Sequence, residues 1–223
     1  GYCFLGVAVC SSLGAGSAVM LMAAHGVSVS LMFLVAQYVY RRSGTFEMNE
    51  IGGLASHAPL LACFFIAGSL ATIGLPGFGN FWGEFGVFLS LGENKEHQFF
   101  LVLAALGIII SAIFGLRAVA KVFYGKQSDE LSEHAKSSPI SDLSVSEMIP
   151  AGILVAALLF LGLWPRGISD RVNREVLLRY ESLKHLSEPG SQLAPCCLPQ
   201  NGEANLKEPE SSAEKVKLQP KDL

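Results

Sequence analysis

Residues 58–91 read APLLACFFIAGSLATIGLPGFGNFWGEFGVFLSL. The stretch is almost wholly apolar, yet it holds one carboxylate, Glu84, and the interruption Gly74-Leu-Pro-Gly-Phe-Gly79. A bilayer core of ~30 Å takes about 20 helical residues, so Ala58–Leu91 is too long for one straight span. Pro76 cannot continue the helical hydrogen-bond ladder, and Gly74, Gly77 and Gly79 permit irregular backbone around it. The expected structure is two half-helices joined by an unwound segment. Irregular backbone at membrane depth survives only when it is buried in protein or lines a wet cavity. An ionisable side chain beside such a break marks a functional site by default, and the combination points to an ion pathway. No Lys-Ser/Thr pair follows the glycines and no strand precedes them, which excludes a phosphate-binding loop.

Composition agrees. Half the chain is hydrophobic (51%), only 16% is charged, and the mean hydropathy is +0.43. The net charge of −3 leaves nothing to attract nucleic acid. Residues 1–165 are membrane-like, whereas Asp170–Leu223 are polar. The reading is an all-α polytopic membrane protein with the lipid bilayer as its first partner. The five cysteines form no metal pattern: Cys3, Cys10 and Cys63 are expected as buried small hydrophobes, and Cys196-Cys197 stand in a Pro-rich tail.

Outward from the broken span, residues 18–40 form a full transmembrane helix ending on Arg41-Arg42, a pair suited to the interface. Ser11–Ser17 (SSLGAGS) reads as a turn before it. The first apolar run, residues 1–10, is a partial helix of roughly 15 Å, half a bilayer. It lacks the basic flank of a signal peptide, so the chain reads as a C-terminal fragment cut inside a span. Residues 98–120 and 148–164 are two more transmembrane helices. Residues 169–185 have the apolar spacing of an amphipathic surface helix, and 186–223 have the composition of a disordered polar tail. Loops 43–57 and 121–147 share one side. With the adjoining span ends they carry most of the short-loop Lys and Arg, which places them in the cytoplasm and the tail opposite. Arg166, Arg171, Arg174 and Arg179 after the last span weigh against that orientation.

Glu84 is the leading candidate for chemistry. It follows Asn80 by four residues, and Asn80 is placed to cap the second half-helix. The helix dipole favours its charge there while burial in a membrane disfavours it, so the two effects oppose. The bland alternative is a static pair with a neighbouring helix. His25, in MLMAAHGVSVSL, lies inside a span near Ser28 and Ser30. It can pass protons through either ring nitrogen or simply hydrogen-bond a neighbour. Arg117 and Lys121 share a helix face near a span end. Snorkelling to the interface is their plain reading, and a pathway or interface contact the sharper one. Glu47, Glu50, His57, Glu93, Glu96 and His97 are expected as solvated loop residues. No dinucleotide fingerprint, iron–sulfur cysteine set or haem motif is present. The chain itself is therefore expected to hold no cofactor and no metal.

Together MAAHGVSVSLMFLVAQYVYRR, GGLA, GLPGFGNFWGEF, AVAKVFYGK and LGLWPRGISD resemble the C-terminal part of a known family. These are the antiporter-like membrane subunits of proton-pumping NADH:quinone oxidoreductase (respiratory complex I), and the resemblance is nearest to the M-type, or chain 4, subunits. It covers about Gly1–Asp170. It implies the last four helices, and part of the one before, of a fourteen-helix antiporter-like fold. It implies that His25 is the histidine of the family's proton path and Glu84 its terminal carrier. NADH, flavin, iron–sulfur clusters and quinone would then belong to partner subunits, with other membrane-arm subunits as neighbours in a bacterial plasma membrane. Subunits of multisubunit cation/proton antiporters and membrane-bound hydrogenases share these features. A plain membrane anchor is the third reading.

Overall fold

A computed structural model describes residues 1–93, 95–126 and 140–187. Residues 127–139 of loop 121–147, and the tail from residue 188 with Cys196-Cys197, lie outside the described residues.

The described residues fold into helices without a strand: α1 (Tyr2–Ala8), α2 (Ser12–Ser43), α3 (Pro59–Thr72), α4 (Gly79–Gly92), α5 (Gln98–Phe123), α6 (Val145–Leu163) and α7 (Arg166–Ser187). α2, α5 and α6 are each long and apolar enough to cross a membrane. α3 and α4 are the two halves of the interrupted stretch. α2 is the axis on which the others pack.

The expected turn at Ser11–Ser17 is instead the first two turns of α2. Ser11 is the N-cap, accepting a hydrogen bond from the Gly14 N–H at 3.0 Å. Gly14 and Gly16, which suggested a turn, serve packing. A Cβ at Gly14 would strike the Gly6 carbonyl of α1, and one at Gly16 would strike Asn173 of α7. Tertiary contact overrides the low helix propensity of glycine here.

The broken stretch crosses the molecule once. Along α3, Gly68 meets Leu31 and Met32 of α2. Along α4, Asn80 meets Ser28, Gly79 meets Ala24, Gly83 meets Leu21, Gly86 meets Ser17, and Ser90 meets Gly14. The partner number on α2 falls from about 31 at Gly68 to 14 at Ser90, so both halves run antiparallel to α2 and do not double back. Consequently the 44–58 connection and residues 140–144 lie at one end of the bundle. Residues 93–97 and α7 lie at the other.

The first end is clasped by Arg42, which donates to the Ser141 carbonyl (2.8 Å), the Asp142 carbonyl (3.0 Å), the Tyr38 carbonyl (3.1 Å) and Glu147 Oε2 (2.7 Å). Asp142 in turn accepts from the free N–H groups of Leu60 and Leu61 at the start of α3. Beneath the clasp sits an apolar core that includes Leu31, Val35, Leu54, Leu61, Phe65, Phe123 and Leu158.

Several loop and cysteine expectations change. Glu50 is partly buried and accepts from Thr45 Oγ1 at 2.7 Å. His57 and His97 are partly buried too, whereas Glu47 and Glu93 are exposed. Cys10 and Cys63 are exposed on the surface of this chain, and Cys3 is half-buried. An apolar setting in a membrane sequence does not imply burial in protein, because lipid is an equally apolar neighbour.

Candidate functional site at the helix break

The break is built by two different devices. α3 ends in a Schellman motif: Gly74 takes the left-handed position (φ 80), its N–H donates to the Ala71 carbonyl (3.2 Å), and the Leu75 N–H donates to the Leu70 carbonyl (3.1 Å). Pro76 follows and prevents continuation. Gly77, at φ 107, swings the chain into Phe78, which is extended and opens α4. α4 has no side-chain cap, contrary to the role expected of Asn80. Asn80 lies one residue inside the helix and points at α2 instead.

The break is sealed by α6. A Cβ at Gly162 would fall on the Gly77 carbonyl, and the Gly162 carbonyl accepts from Trp82 Nε1 at 2.7 Å. Small residues on α2 and α4 then allow close backbone approach. A Cβ at Gly83 would lie 2.6 Å from the Leu21 Cβ and 2.8 Å from its Cα. Helix pairs in membranes use this small-residue geometry because lipid supplies no hydrophobic drive toward association.

Glu84 is 9% exposed and lies against the break, since any Cβ on Gly74 would collide with its carboxylate. Among the described residues it makes no ion pair and no hydrogen bond. It lines a cavity of about 470 Å³, together with His25, Tyr2, Ser69, Thr72 and Ser111. The structure thus brings His25 and Glu84 to one cavity, although they lie on different helices. His25 itself is exposed on this chain, and its carbonyl accepts from Ser28 Oγ at 3.0 Å. Tyr2 closes one side, its hydroxyl donating to the Ala104 carbonyl at 2.6 Å.

Arg117 and Lys121 do not join this site. Arg117 is exposed near the clasped end of α5, and Lys121 Nζ donates to Asn49 Oδ1 in the 44–58 connection. Sequence reading also missed the hydroxyls of Ser69, Thr72 and Ser111 in the cavity. Their signal was present as isolated polar residues within apolar helices, but which face they take depends on packing. It missed Asn80 and Ser28 as a pair, with Nδ2 donating to Oγ at 3.1 Å. A half-open cavity that gathers an unpaired carboxylate, a histidine and several hydroxyls among apolar walls has room for water beside groups able to exchange protons.

A family model described as NADH:quinone oxidoreductase/Mrp antiporter, transmembrane, matches residues 1–113. NADH-quinone oxidoreductase subunit M of Rickettsia felis is 35% identical over 181 residues, covering 80% of this chain and 35% of that protein. A structure of respiratory complex I from Thermus thermophilus with bound NADH superposes with a TM-score of 0.68 at 33% identity. The match covers 79% of this chain and 36% of that one. The Mrp complex from Dietzia sp. DQ12-45-1b superposes at 0.64 and 18% identity, covering 83% and 41%, a likeness of fold alone. The chain spans about a third of the length of the curated relatives it matches.

Proposed function

The chain belongs to the NADH:quinone oxidoreductase/Mrp antiporter membrane family, and from that premise we propose that it forms part of a proton-translocating subunit of an NADH:quinone oxidoreductase. It is an integral membrane protein with the C-terminal, broken-helix part of the antiporter-like fold. Electron transfer from NADH to quinone takes place in partner subunits. This subunit converts the energy into proton movement through the membrane. One observation carries the reading: Glu84, unpaired, shares a cavity with His25 directly beside the break.

Each residue has a role. The Schellman turn at Gly74 leaves room for the Glu84 carboxylate. Glu84 accepts and releases the proton, His25 hands it across, and the hydroxyls of Ser69, Thr72 and Ser111 orient water between them. The glycines and Pro76 keep the two half-helices separate, so Glu84 can change surroundings without unravelling either. The end bearing the clasp faces the cytoplasm, and α7 lies on the opposite side. A cation/proton antiporter subunit would use the same cavity, and finding genes for flavin- and iron–sulfur-binding subunits beside this one would decide for the oxidoreductase.

The test is Glu84→Gln in the full-length subunit within its complex. Gln preserves size and hydrogen bonding but cannot release a proton. Pumping per assembled complex should be nearly abolished, with assembly retained and Glu84→Asp keeping part of the activity. His25→Ala should be milder, because water can replace one member of a relay in a polar cavity. Assembled Glu84→Gln complexes that pump normally would remove Glu84 from the path.

A further inference from the structure

Asn80 is a buried polar group that the relay as described leaves idle. It is 1% exposed, and Oδ1 has no partner among the described residues. Nδ2 donates to Ser28 Oγ at 3.1 Å, and that hydroxyl donates to the His25 carbonyl at 3.0 Å. Turning the amide over leaves the amino group unpartnered at the same point instead. Buried amides rarely stay half-paired, and water supplies the missing partner where the surroundings are polar.

The surroundings are polar from three directions. α4 starts here without a side-chain cap, so its first N–H groups are unpaired by the helix. Glu84 stands four residues on, one turn away on the same face. Ser28 falls on the helical stripe of α2 that includes Leu21, His25 and Met32, all of which line the Glu84 cavity.

We propose that Asn80 is a positioning residue for the proton path: clamped on Ser28, it holds a water molecule that hydrogen-bonds both its side-chain amide and the Glu84 carboxylate. The proposal rests on the pathway reading and deepens it by naming the last donor to Glu84. Water suits this place because it has two hydrogens, and Asn80 Oδ1 and ionised Glu84 are two acceptors one turn apart. The transfer balances simply. An excess proton reaching the water displaces one of the water's own hydrogens onto Glu84, leaving neutral water and a neutral carboxylic acid.

The experiment uses the full-length subunit in its complex, reconstituted in vesicles. Asn80→Leu keeps the volume and removes both polar atoms. Pumping per assembled complex should fall about tenfold, with a larger solvent deuterium isotope effect on the pumping rate. Asn80→Ser, which retains a polar atom and adds room for water, should recover to within about threefold of the parent. A purely structural Asn80 predicts that assembled Asn80→Leu complexes pump normally with an unmoved isotope effect, and that result overturns the proposal. Should Asn80→Leu block assembly, Ser28→Ala removes only the clamp and reads the same two quantities. About a threefold loss with a raised isotope effect supports the proposal, and unchanged values overturn it. If Glu84→Gln is inactive while Asn80→Leu is silent, only this inference fails. If Glu84→Gln pumps normally, the pathway reading fails as well.

Discussion

α2 and α5 are both long apolar helices, but they behave as opposites within the bundle. α2 is notched with Gly14, Gly16, Ser17, Ala24 and Ser28 on its contact faces, and α1, α3, α4, α6 and α7 all pack against it. α5 carries Phe99, Leu103, Leu106, Ile109, Ile110, Ile113 and Phe114, all exposed, and buries only Ala104, Val119, Val122 and Phe123. The difference shows that hydrophobicity alone does not assign a helix to the interior of a membrane protein. Small residues decide close packing, since they let backbones meet, and bulky apolar ones are equally content beside lipid.

Gly83→Leu should break the contrast most severely. Its side chain would enter the backbone of α2 at Leu21, which cannot yield. Overpacking costs ~1–3 kcal/mol even where neighbours can move, so the amount of assembled complex should drop by more than about tenfold, as read on a native gel.

Gly74→Ala should spare assembly and damage function. A residue with a Cβ is disfavoured at φ 80 by roughly 1–2 kcal/mol, and the new methyl displaces the Glu84 carboxylate. Pumping per assembled complex should fall by about tenfold, in line with the sensitivity of catalysis to ~1 Å misplacement. Normal pumping would show that the carboxylate is not held at the break.

Gly86→Ala is a gentler version of the seam test. The added methyl would meet the Ser17 hydroxyl, which can rotate away, and the Ser17 Cβ at 2.8 Å, which yields only if the helices part slightly. A loss of about 1–3 kcal/mol is expected, short of the Gly83→Leu effect and visible as a shift in thermal aggregation. Ile109→Ala on α5 should have the smallest effect, within roughly 0.5 kcal/mol. If it impairs assembly as much as Gly83→Leu does, that face of α5 packs against protein and the comparison must be redrawn.

The break was legible in the sequence because proline and glycine constrain the backbone locally. Gly74, Pro76 and Gly77 act through their own φ angles and missing N–H group, whatever lies nearby. Glu84 was legible because a carboxylate in an apolar run is costly wherever it points. The start of α2 was not, since Gly14 and Gly16 are read as loop formers until their neighbours on α1 and α7 are known. Asn80 followed the same course: its type suits a cap, and only the proximity of Ser28 turns it toward α2. The placing of His25 near Glu84 could not come from spacing either, because they are 59 positions apart and meet through the antiparallel register of α2 and α4. Local chemistry was readable, and the contacts that depend on a second helix were not.

The Arg42 clasp has a consequence for the order of events at the ribosome. Arg42 closes onto Ser141, Asp142 and Glu147, groups separated from it by 99 to 105 positions. Gly162, which seats the break, is made later still. Until α6 is translated and inserted, α2 and the two half-helices sit in the bilayer without their fastening, and the start of α3 lacks the carboxylate that terminates it. α6, made after the helices it fastens, is thus the latch of this unit. A nascent chain stalled before residue 140 carries Glu84 in a seam that α6 has not yet covered, which gives quality control a natural point at which to test this unit.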